Sequence, residues 1–199
     1  MASQGNIEEV ILSHYQKGTF LEIGCWDGEL ISQTFELEKK GWKGLCVDPL
    51  PKNFENRKAK LCEMAISKDG KEREFVKVTI DRRYGGDVSY FSGFVENIAA
   101  HWELISEHCD YTIEKVNTIT FDKLYSKYKL PLFIEFLSVD TEGSELEIFQ
   151  SIDFSKYKFG IIMFEHNNDT KSKYGVGRIL KANGYKLLHE MVIDDIYVC

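Results

Sequence analysis

Two acids and two glycines follow the first apolar segments of the chain in an order that suits ligand binding. Glu22, Gly24 and Gly28 lie where a short apolar strand leads into a turn, and Asp48 ends a second apolar segment about 20 residues later. The backbone of such a turn can approach a ligand closely, and an acid at the next strand end accepts hydrogen bonds from ribose hydroxyls. The spacing therefore predicts a site for a nucleotide-type ligand.

The residue at the start of this turn distinguishes between ligands. Glu22 stands where a dinucleotide-binding turn carries its first glycine, so the pattern is E-x-G-x-x-x-G rather than G-x-G-x-x-G. S-adenosylmethionine has no pyrophosphate, and its amino-acid end needs an anion for the ammonium group and backbone groups for the carboxylate. We therefore expect this donor, with Cys25 and Pro49 also touching it, and with Ala65 and Ile66 flanking the adenine.

A second set of acids follows the most apolar segment of the chain. Asp140 and Glu142 come directly after residues 133–139, which are typical of a strand covered on both faces. The carboxyl ends of central parallel strands face the ligand crevice, so we expect Asp140 beside the donor methyl group and the acceptor. The alternative for Glu142 and Glu145 is structural, because acids near a helix N-terminus complement its dipole.

The next predicted strand also ends in polar residues. Glu165, His166 and Asn167 follow Asp140 by one strand–helix–strand unit, so the two strand ends should lie together. Oxygen ligands from Asp140, Glu165 and Asn167 would suit Mg²⁺ or Mn²⁺, which would lower the pKa of an acceptor hydroxyl. Alternatively, His166 is the general base, with Glu142 in reserve, because histidine titrates near working pH. A histidine at a strand end can also be an ordinary boundary residue.

Strands alternate with helices along the chain, which predicts an α/β fold with a doubly wound, mainly parallel sheet. The last two strands have no helix between them, so an antiparallel strand is expected at that end. Residues 79–110 have no regular pattern, and loops of this length are usually functional. Helices are predicted near 6–16, 29–40, 53–59, 120–130, 146–152 and 172–183, and strands near 19–23, 44–47, 61–66, 74–78, 111–118, 133–139, 159–164, 185–191 and 196–198.

Composition narrows the class of protein. A length of 199 residues predicts one domain over 1–199, with its core in 19–198. The formal charge of −7 and the scattered Lys and Arg residues disfavour nucleic-acid partners. We expect no membrane span and no leader, because no apolar run is long enough and no basic-then-apolar start is present. Five cysteines without a C-x-x-C pair fit a reducing, cytoplasmic setting.

Several of these segments together resemble the FkbM-type methyltransferases, over about residues 19–198. The D-x-E-G-x-E segment from Asp140 to Glu145 is the most specific of them. The others are Phe20-Leu-Glu-Ile-Gly, Val47-Asp48-Pro49, Ala65-Ile66-Ser67, Phe164-Glu-His-Asn, Asn183-Gly184-Tyr185 and Asp195-Ile196-Tyr197-Val198. The resemblance implies a class I (Rossmann-like) fold with a seven-stranded sheet, S-adenosylmethionine as donor and a hydroxyl acceptor.

We therefore expect an O-methyltransferase that acts on a small molecule or glycan, most of all on a sugar or deoxysugar, with 79–110 on the acceptor side. The bulky pair Cys25-Trp26 in the turn departs from the family pattern, and 79–110 match no part of it. Two other functions stay open. One is a non-catalytic module that is associated with or fused to a glycosyltransferase. The other is a nicotinamide-dependent oxidoreductase, against which Glu22 counts.

Overall fold

The structure is a computed structural model, and it describes residues 7–199. The strands are β1 (Thr19–Ile23), β2 (Lys43–Val47), β3 (Lys60–Cys62), β4 (Ala65–Ile66), β5 (Arg73–Asp81), β6 (Gly86–Asp87), β7 (Gly93–Phe94), β8 (Cys109–Val116), β9 (Thr118–Ile119), β10 (Phe133–Val139), β11 (Lys158–Glu165), β12 (Lys186–Glu190) and β13 (Asp194–Val198). The helices are α1 (Ile7–His14), α2 (Phe35–Lys39), α3 (Trp102–His108), α4 (Phe121–Tyr128), α5 (Glu145–Ser151) and α6 (Thr170–Ala182), with 3₁₀ turns at Phe54–Asn56, Ser89–Phe91 and Ile98–Ala100. The predicted start of the first helix, at residue 6, lies outside the described residues.

A seven-stranded sheet forms the centre of the molecule, in the order β12-β13-β11-β10-β1-β2-β3. Neighbouring strands from β11 to β3 run parallel, and β13 is antiparallel to both β11 and β12. This confirms the expected α/β architecture with a mainly parallel sheet and an antiparallel strand near the C-terminus. The reversal follows from the short connection between the last two strands, which leaves no room for a crossover helix.

Both faces of this sheet are buried, because consecutive strand residues point to opposite sides. Leu21 and Leu137 belong to the apolar cluster on the side of α4, α5 and α6. Their neighbours Phe20 and Phe136 belong to the cluster on the side of α1 and α2. All four side chains are fully buried. The near-continuous apolar sequence of β10, which predicted a strand covered on both faces, is explained by this packing.

A smaller antiparallel sheet stands over the carboxyl ends of the central strands. β5 pairs with β8 on one side and with β6 and β7 on the other. The segments 74–78 and 111–118 were predicted as strands, and most of their residues pair with each other here. Residues 79–110, however, are more ordered than predicted, since they complete β5 and contain β6, β7, two 3₁₀ turns and α3.

No helix within the described range 7–199 has the length and apolarity needed to cross a membrane.

The helix predicted over 29–40 is wrong in its first half, because only Phe35–Lys39 is helical. The Asp27 carboxylate accepts hydrogen bonds from the backbone N–H groups of Glu29 and Leu30, at 2.8 and 2.9 Å. Side-chain acceptors of this kind compete with helical hydrogen bonding and favour turns. The chain therefore stays in a turn until it has passed the acid, and the helix begins later.

The strand predicted over 61–66 is in fact two strands. Lys60–Cys62 pairs with β2 in the main sheet, whereas Ala65–Ile66 pairs with Thr118–Ile119 in a two-stranded sheet of its own. The helix predicted near 53–59 is likewise reduced to one 3₁₀ turn, Phe54–Asn56. The division of 61–66 into two strands matters for function, because it turns Ala65 and Ile66 out of the main sheet and towards a cavity.

Candidate active site

A cavity of about 700 Å³ lies at the carboxyl ends of β1, β2 and β10, beneath the smaller sheet. Gly24, Asp48 and Asp140 line it, and each follows one of these three strands. Ligands of open α/β sheets bind at this edge, where the connecting loops diverge. The three residues were predicted in separate segments of the sequence, and the fold brings them to one cavity.

Gly24 allows the turn after β1 to lie against the end of β10. Its φ is +84°, and a Cβ atom there would stand 1.6 Å from the backbone oxygen of Asp140. The ends of β1 and β10 are also hydrogen-bonded to each other, since the N–H of Asp140 donates to the oxygen of Ile23 at 2.9 Å. Gly28 has a similar conformation, with φ +70°, but there a Cβ atom would meet the Phe54 ring. Gly28 thus shapes the turn and does not line the cavity.

Glu22 lies outside the cavity lining, contrary to the prediction that it meets the donor. It is only 2% exposed, and its carboxylate accepts hydrogen bonds from the Ser32 hydroxyl, the Gln33 N–H and the Thr34 hydroxyl at 2.9, 2.7 and 2.6 Å. The guanidinium of Arg57 is 3.6 Å away. Because internal donors occupy this carboxylate, Glu22 holds the segment after the turn in place. Cys25, also predicted to touch the donor, is buried in the core beneath the turn.

Asp48 presents a carboxylate to the cavity. One oxygen accepts the backbone N–H of Trp26 at 2.9 Å, and the other accepts that of Leu50 at 2.8 Å. Burial raises the pKa of Asp48 to about 6, although these two hydrogen bonds oppose the shift. A carboxylate has about four acceptor positions, so the two amide bonds leave others for a ligand hydroxyl.

An apolar wall adjoins Asp48 in the cavity. Pro49, Ala65 and Ile66, which were expected at the donor from the sequence, all line the cavity. Ala65 and Ile66 reach this position because β4 leaves the main sheet and pairs with β9. A carboxylate next to an apolar wall matches the two halves of a nucleoside, the ribose with its hydroxyls and the base with its flat ring.

Three carboxylates meet at the other end of the cavity. Asp140, Glu142 and Glu165 each offer an oxygen atom, and the three atoms lie within 4.8 Å of one another. Burial, and then the charge of Glu142, raises the pKa of Asp140 well above its ordinary value. Burial, and then the charge of Asp140, raises the pKa of Glu165 to about 11. Three carboxylates this close cannot all be ionised unless a cation lies between them. Without a cation, at least one of them keeps a proton.

Asn167 contacts this cluster through its amide nitrogen, which donates to Glu165 at 2.6 Å and to Glu142 at 3.2 Å. It was predicted to offer its oxygen to a metal ion, and the amide would have to rotate by half a turn to do so. The three carboxylate oxygens themselves fit a hard cation such as Mg²⁺ or Mn²⁺. Glu142, first considered as a base, therefore belongs to the candidate ligand set as well.

Glu145 supports the loop that carries Asp140 and Glu142. It is 2% exposed, and its carboxylate accepts the backbone N–H groups of Thr141 and Gly143 at 2.8 and 3.2 Å. These bonds hold Glu142 in a left-handed conformation, with φ +54°. The structural role that the sequence left open for both glutamates thus falls to Glu145, and Glu142 lines the cavity.

The structure places His166 outside the site, contrary to the prediction of a general base there. It is 2% exposed, does not line the cavity, and its Nδ1 accepts the N–H of Asn168 at 3.1 Å. Its Nε2 lies 3.7 Å from the carboxylate of Asp195, on the other side of the sheet's end. The cause is strand alternation, because directing Glu165 towards the cluster directs the next residue away.

A different histidine reaches the cluster. The Nε2 atom of His101 lies 2.8 Å from the Glu142 carboxylate, and this hydrogen bond raises the pKa of His101. Its ring packs on Phe91, with ring centres 5.0 Å apart. The sequence carried no signal for this role, because His101 lies in the irregular segment 79–110 and no pattern relates it to Glu142.

Part of the segment 79–110 forms the wall of the cavity opposite Asp48. Tyr90, Ser92 and Phe94 line it, together with smaller residues of the same segment. Two other aromatic residues of the segment, Tyr84 and Trp102, do not line the cavity. Tyr84 is 82% exposed, and Trp102 is 39% exposed and packs on Tyr111. The cavity-lining residues of this segment thus lie within 79–94, and 95–110 do not line the cavity.

Residues 22–187 match the family described as the methyltransferase FkbM domain. The match begins at the buried acid Glu22, and it includes the end of β1, all of β2 and β10, and the whole carboxylate cluster. No curated protein and no solved structure matches the chain. With most of its length in this match, the chain belongs to the FkbM methyltransferase family.

Proposed function

We propose that this protein is an S-adenosylmethionine-dependent O-methyltransferase that acts on a hydroxyl of a sugar or deoxysugar in a glycan. The observation that carries the proposal is one cavity with Asp48 and an apolar wall at one end and Asp140 at the other. The strand order, with β10 at the centre, β1 beside it and an antiparallel β13, supports a class I, Rossmann-like arrangement. Family membership supports methyl transfer as the reaction.

The residues present fit the donor. Asp48 would accept the ribose hydroxyls, Pro49, Ala65 and Ile66 would flank the adenine, and Gly24 would leave the backbone open to the amino-acid end. When bound, the donor supplies an electrophilic methyl group on a sulfonium sulfur. Because Glu22 is buried away from the cavity, its part is to hold the turn and not to meet the ammonium group.

The reaction requires a hydroxyl oxygen to form a bond to the methyl carbon while the carbon–sulfur bond breaks and the sulfur becomes a neutral thioether. The hydroxyl proton must leave, and Asp140 and Glu142 line the cavity as acceptors for it. The raised pKa of Asp140 makes its ionised carboxylate a stronger base than an ordinary aspartate. Holding the reactants in line contributes a further large part of the rate.

Replacing Asp48 by alanine should weaken binding of S-adenosylhomocysteine by roughly 10- to 100-fold, because charge-assisted hydrogen bonds contribute about 1.5–3 kcal/mol. Titration calorimetry measures the dissociation constant. Asp48→Asn keeps the shape of the side chain, and Asp110→Ala, an exposed aspartate paired with Arg82, is the matched control. An unchanged affinity in folded Asp48→Ala would remove this residue from the donor site.

Because of the carboxylate cluster, we expect the free energy of unfolding to decrease as the pH rises. The pKa of Glu165 is raised to about 11 in the folded protein, so the folded state keeps a proton that the unfolded chain releases near its ordinary value. Stability is then fully present below the ordinary carboxyl pKa and is lost as the pH rises above it towards the raised pKa. Glu165→Gln, which cannot ionise, should flatten this slope in urea unfolding measured at several pH values.

If the cluster holds a cation, Mg²⁺ or Mn²⁺ should replace the proton. The melting temperature should then rise on addition of Mn²⁺, and more at about pH 8.5 than at about pH 6, because fewer protons compete. Chelation should stop methyl transfer while S-adenosylhomocysteine still binds. Equal melting temperatures with and without the cation at both pH values, together with activity in chelator, would show that the cluster binds no cation. The cluster would then be neutralised by protons only.

Methyl transfer itself is tested with a donor that carries a deuterated methyl group and a panel of free sugars and nucleotide-linked deoxysugars. The proposal predicts a labelled methyl ether on a hydroxyl oxygen, located by fragmentation in mass spectrometry. Label on nitrogen or carbon would contradict the O-methyltransferase assignment. A cytoplasmic location, which the cysteine content suggested, and an association with or fusion to a glycosyltransferase stay predictions.

A further inference from the structure

Trp26 is the residue of the donor-side turn that the family pattern does not explain. It has φ +44°, a left-handed conformation that non-glycine residues avoid. Such a conformation persists only where surrounding contacts hold it, and it points to a functional role when those contacts lie in a ligand site. Trp26 lines the cavity, and its contacts run in two directions.

The backbone of Trp26 is bound to the donor end of the cavity. Its N–H donates to the Asp48 carboxylate at 2.9 Å, and its oxygen accepts the N–H of Lys52 at 3.1 Å. The carboxylate proposed to receive the ribose hydroxyls is therefore the same one that fixes the Trp26 backbone. A ligand that binds Asp48 must share this carboxylate with Trp26.

The side chain of Trp26 is bound to the opposite wall. Its indole N–H donates to the Ser89 hydroxyl at 2.8 Å, and its ring meets Tyr90 edge to face, with centres 5.4 Å apart. Both partners belong to residues 85–92, here named the strap, which crosses the cavity on its acceptor side. Gly85 and Gly86 begin the strap, and a Cβ atom at either would meet nothing within 4 Å, so the strap enters through open space.

A second link joins the strap to the donor side, but it is exposed. The ammonium of Lys52 pairs with the carboxylate of Asp87, and their side chains are 44% and 38% exposed. Surface ion pairs contribute little and are screened by salt. The partly buried link from Trp26 to Ser89 is therefore the one able to transmit the state of the donor end.

We propose that Trp26 is a positioning residue that couples occupancy of the donor end to order in the strap, so that the acceptor wall is completed when the donor is bound. The inference rests on the proposed function for the identity of the donor. Coupling of this kind is reciprocal, so an ordered strap also favours the bound donor. Trp26→Phe and Ser89→Ala each remove the cross-cavity hydrogen bond, and each should weaken S-adenosylhomocysteine binding by roughly fivefold.

Hydrogen exchange of the strap measures the coupling without any acceptor. The N–H groups of Val88 and Phe91 are bonded to backbone oxygens of Thr79 and Val88, at 3.0 and 3.1 Å, so they exchange only when the strap opens. In the unmodified protein, saturating S-adenosylhomocysteine should slow their exchange by at least about fivefold. In Trp26→Phe and in Ser89→Ala the ligand should bind without this slowing, and the double variant should behave like either single one.

Two matched controls lie in α3, outside the strap and away from the cavity. Trp102→Phe and Ser106→Ala change the same residue types at exposed positions of α3, and they should keep the full slowing of exchange. Should Trp26→Phe fold poorly, Ser89→Ala decides, since it leaves the strained turn intact. Binding with equal protection of the strap in all variants overturns the coupling. Absence of binding to the unmodified protein in calorimetry overturns the proposed donor, and this proposal with it.

Discussion

Replacing Gly24 by alanine should destabilise the protein by roughly 3–5 kcal/mol and abolish binding of S-adenosylhomocysteine. The new Cβ atom would stand 1.6 Å from the backbone oxygen of Asp140, at a backbone φ of +84°. Backbone atoms cannot move aside as a flexible side chain can, so the β1 turn and the end of β10 must separate. Their separation would distort the cavity at Gly24 and Asp140, which both line it.

Gly41→Ala is the matched control for this prediction. Gly41 has nearly the same conformation, φ +89°, but a Cβ atom there would meet nothing within 4 Å. Only the backbone preference is then lost, which amounts to about 1–2 kcal/mol. Urea unfolding gives both free energies, and calorimetry gives the ligand affinity of each folded variant. Equal losses at the two positions would show that the close approach to Asp140 carries no special weight.

Asp140→Asn should lower kcat for methyl transfer by roughly 10²–10⁴-fold, the range for a positioned proton acceptor. The amide keeps the shape of the side chain but cannot take the hydroxyl proton. Affinity for S-adenosylhomocysteine should change little, because Asp48 and the apolar wall lie at the other end of the cavity. The rate is measured with the deuterated donor and the best acceptor of the sugar panel.

A second effect of Asp140→Asn is independent of activity. Burial and neighbouring charges raise the pKa of Asp140, so the cluster strains the folded protein when it ionises. Removing one acid should therefore hold or raise the melting temperature at alkaline pH. Asp110→Asn, on the exposed surface, should change neither rate nor stability. A full rate with Asp140→Asn and a lost rate with Glu142→Gln would transfer the role of base to Glu142.

The strands of the main sheet were largely predictable because burial on both faces leaves a plain apolar signal. β10, at Phe133–Val139, has the predicted bounds, and β1, at Thr19–Ile23, does as well. The failure in 29–34 has a local cause that composition cannot reveal. There, the side chain of Asp27 binds the N–H groups that a helix would need, and the sequence shows only an acid before an amphipathic run.

The site was predictable where it follows strand ends and unpredictable where side-chain direction decides. Asp48 and Asp140 reach the cavity because each directly follows a parallel strand. Glu22 and His166 lie next to the site in sequence but are buried away from it, since one residue along a strand reverses the direction of the side chain. His101 reaches Glu142 only through the folding of the smaller sheet, which no spacing in the sequence records.

Parallel calorimetric titrations with S-adenosylhomocysteine and with NADH decide which of the two ligands the cavity binds. We expect one-to-one binding of S-adenosylhomocysteine that is weakened in Asp48→Ala, and no binding of NADH. Binding of NADH alone would contradict this expectation and favour an oxidoreductase. Binding of neither ligand would contradict it as well, and it would favour a module that has the fold of a methyltransferase without the reaction.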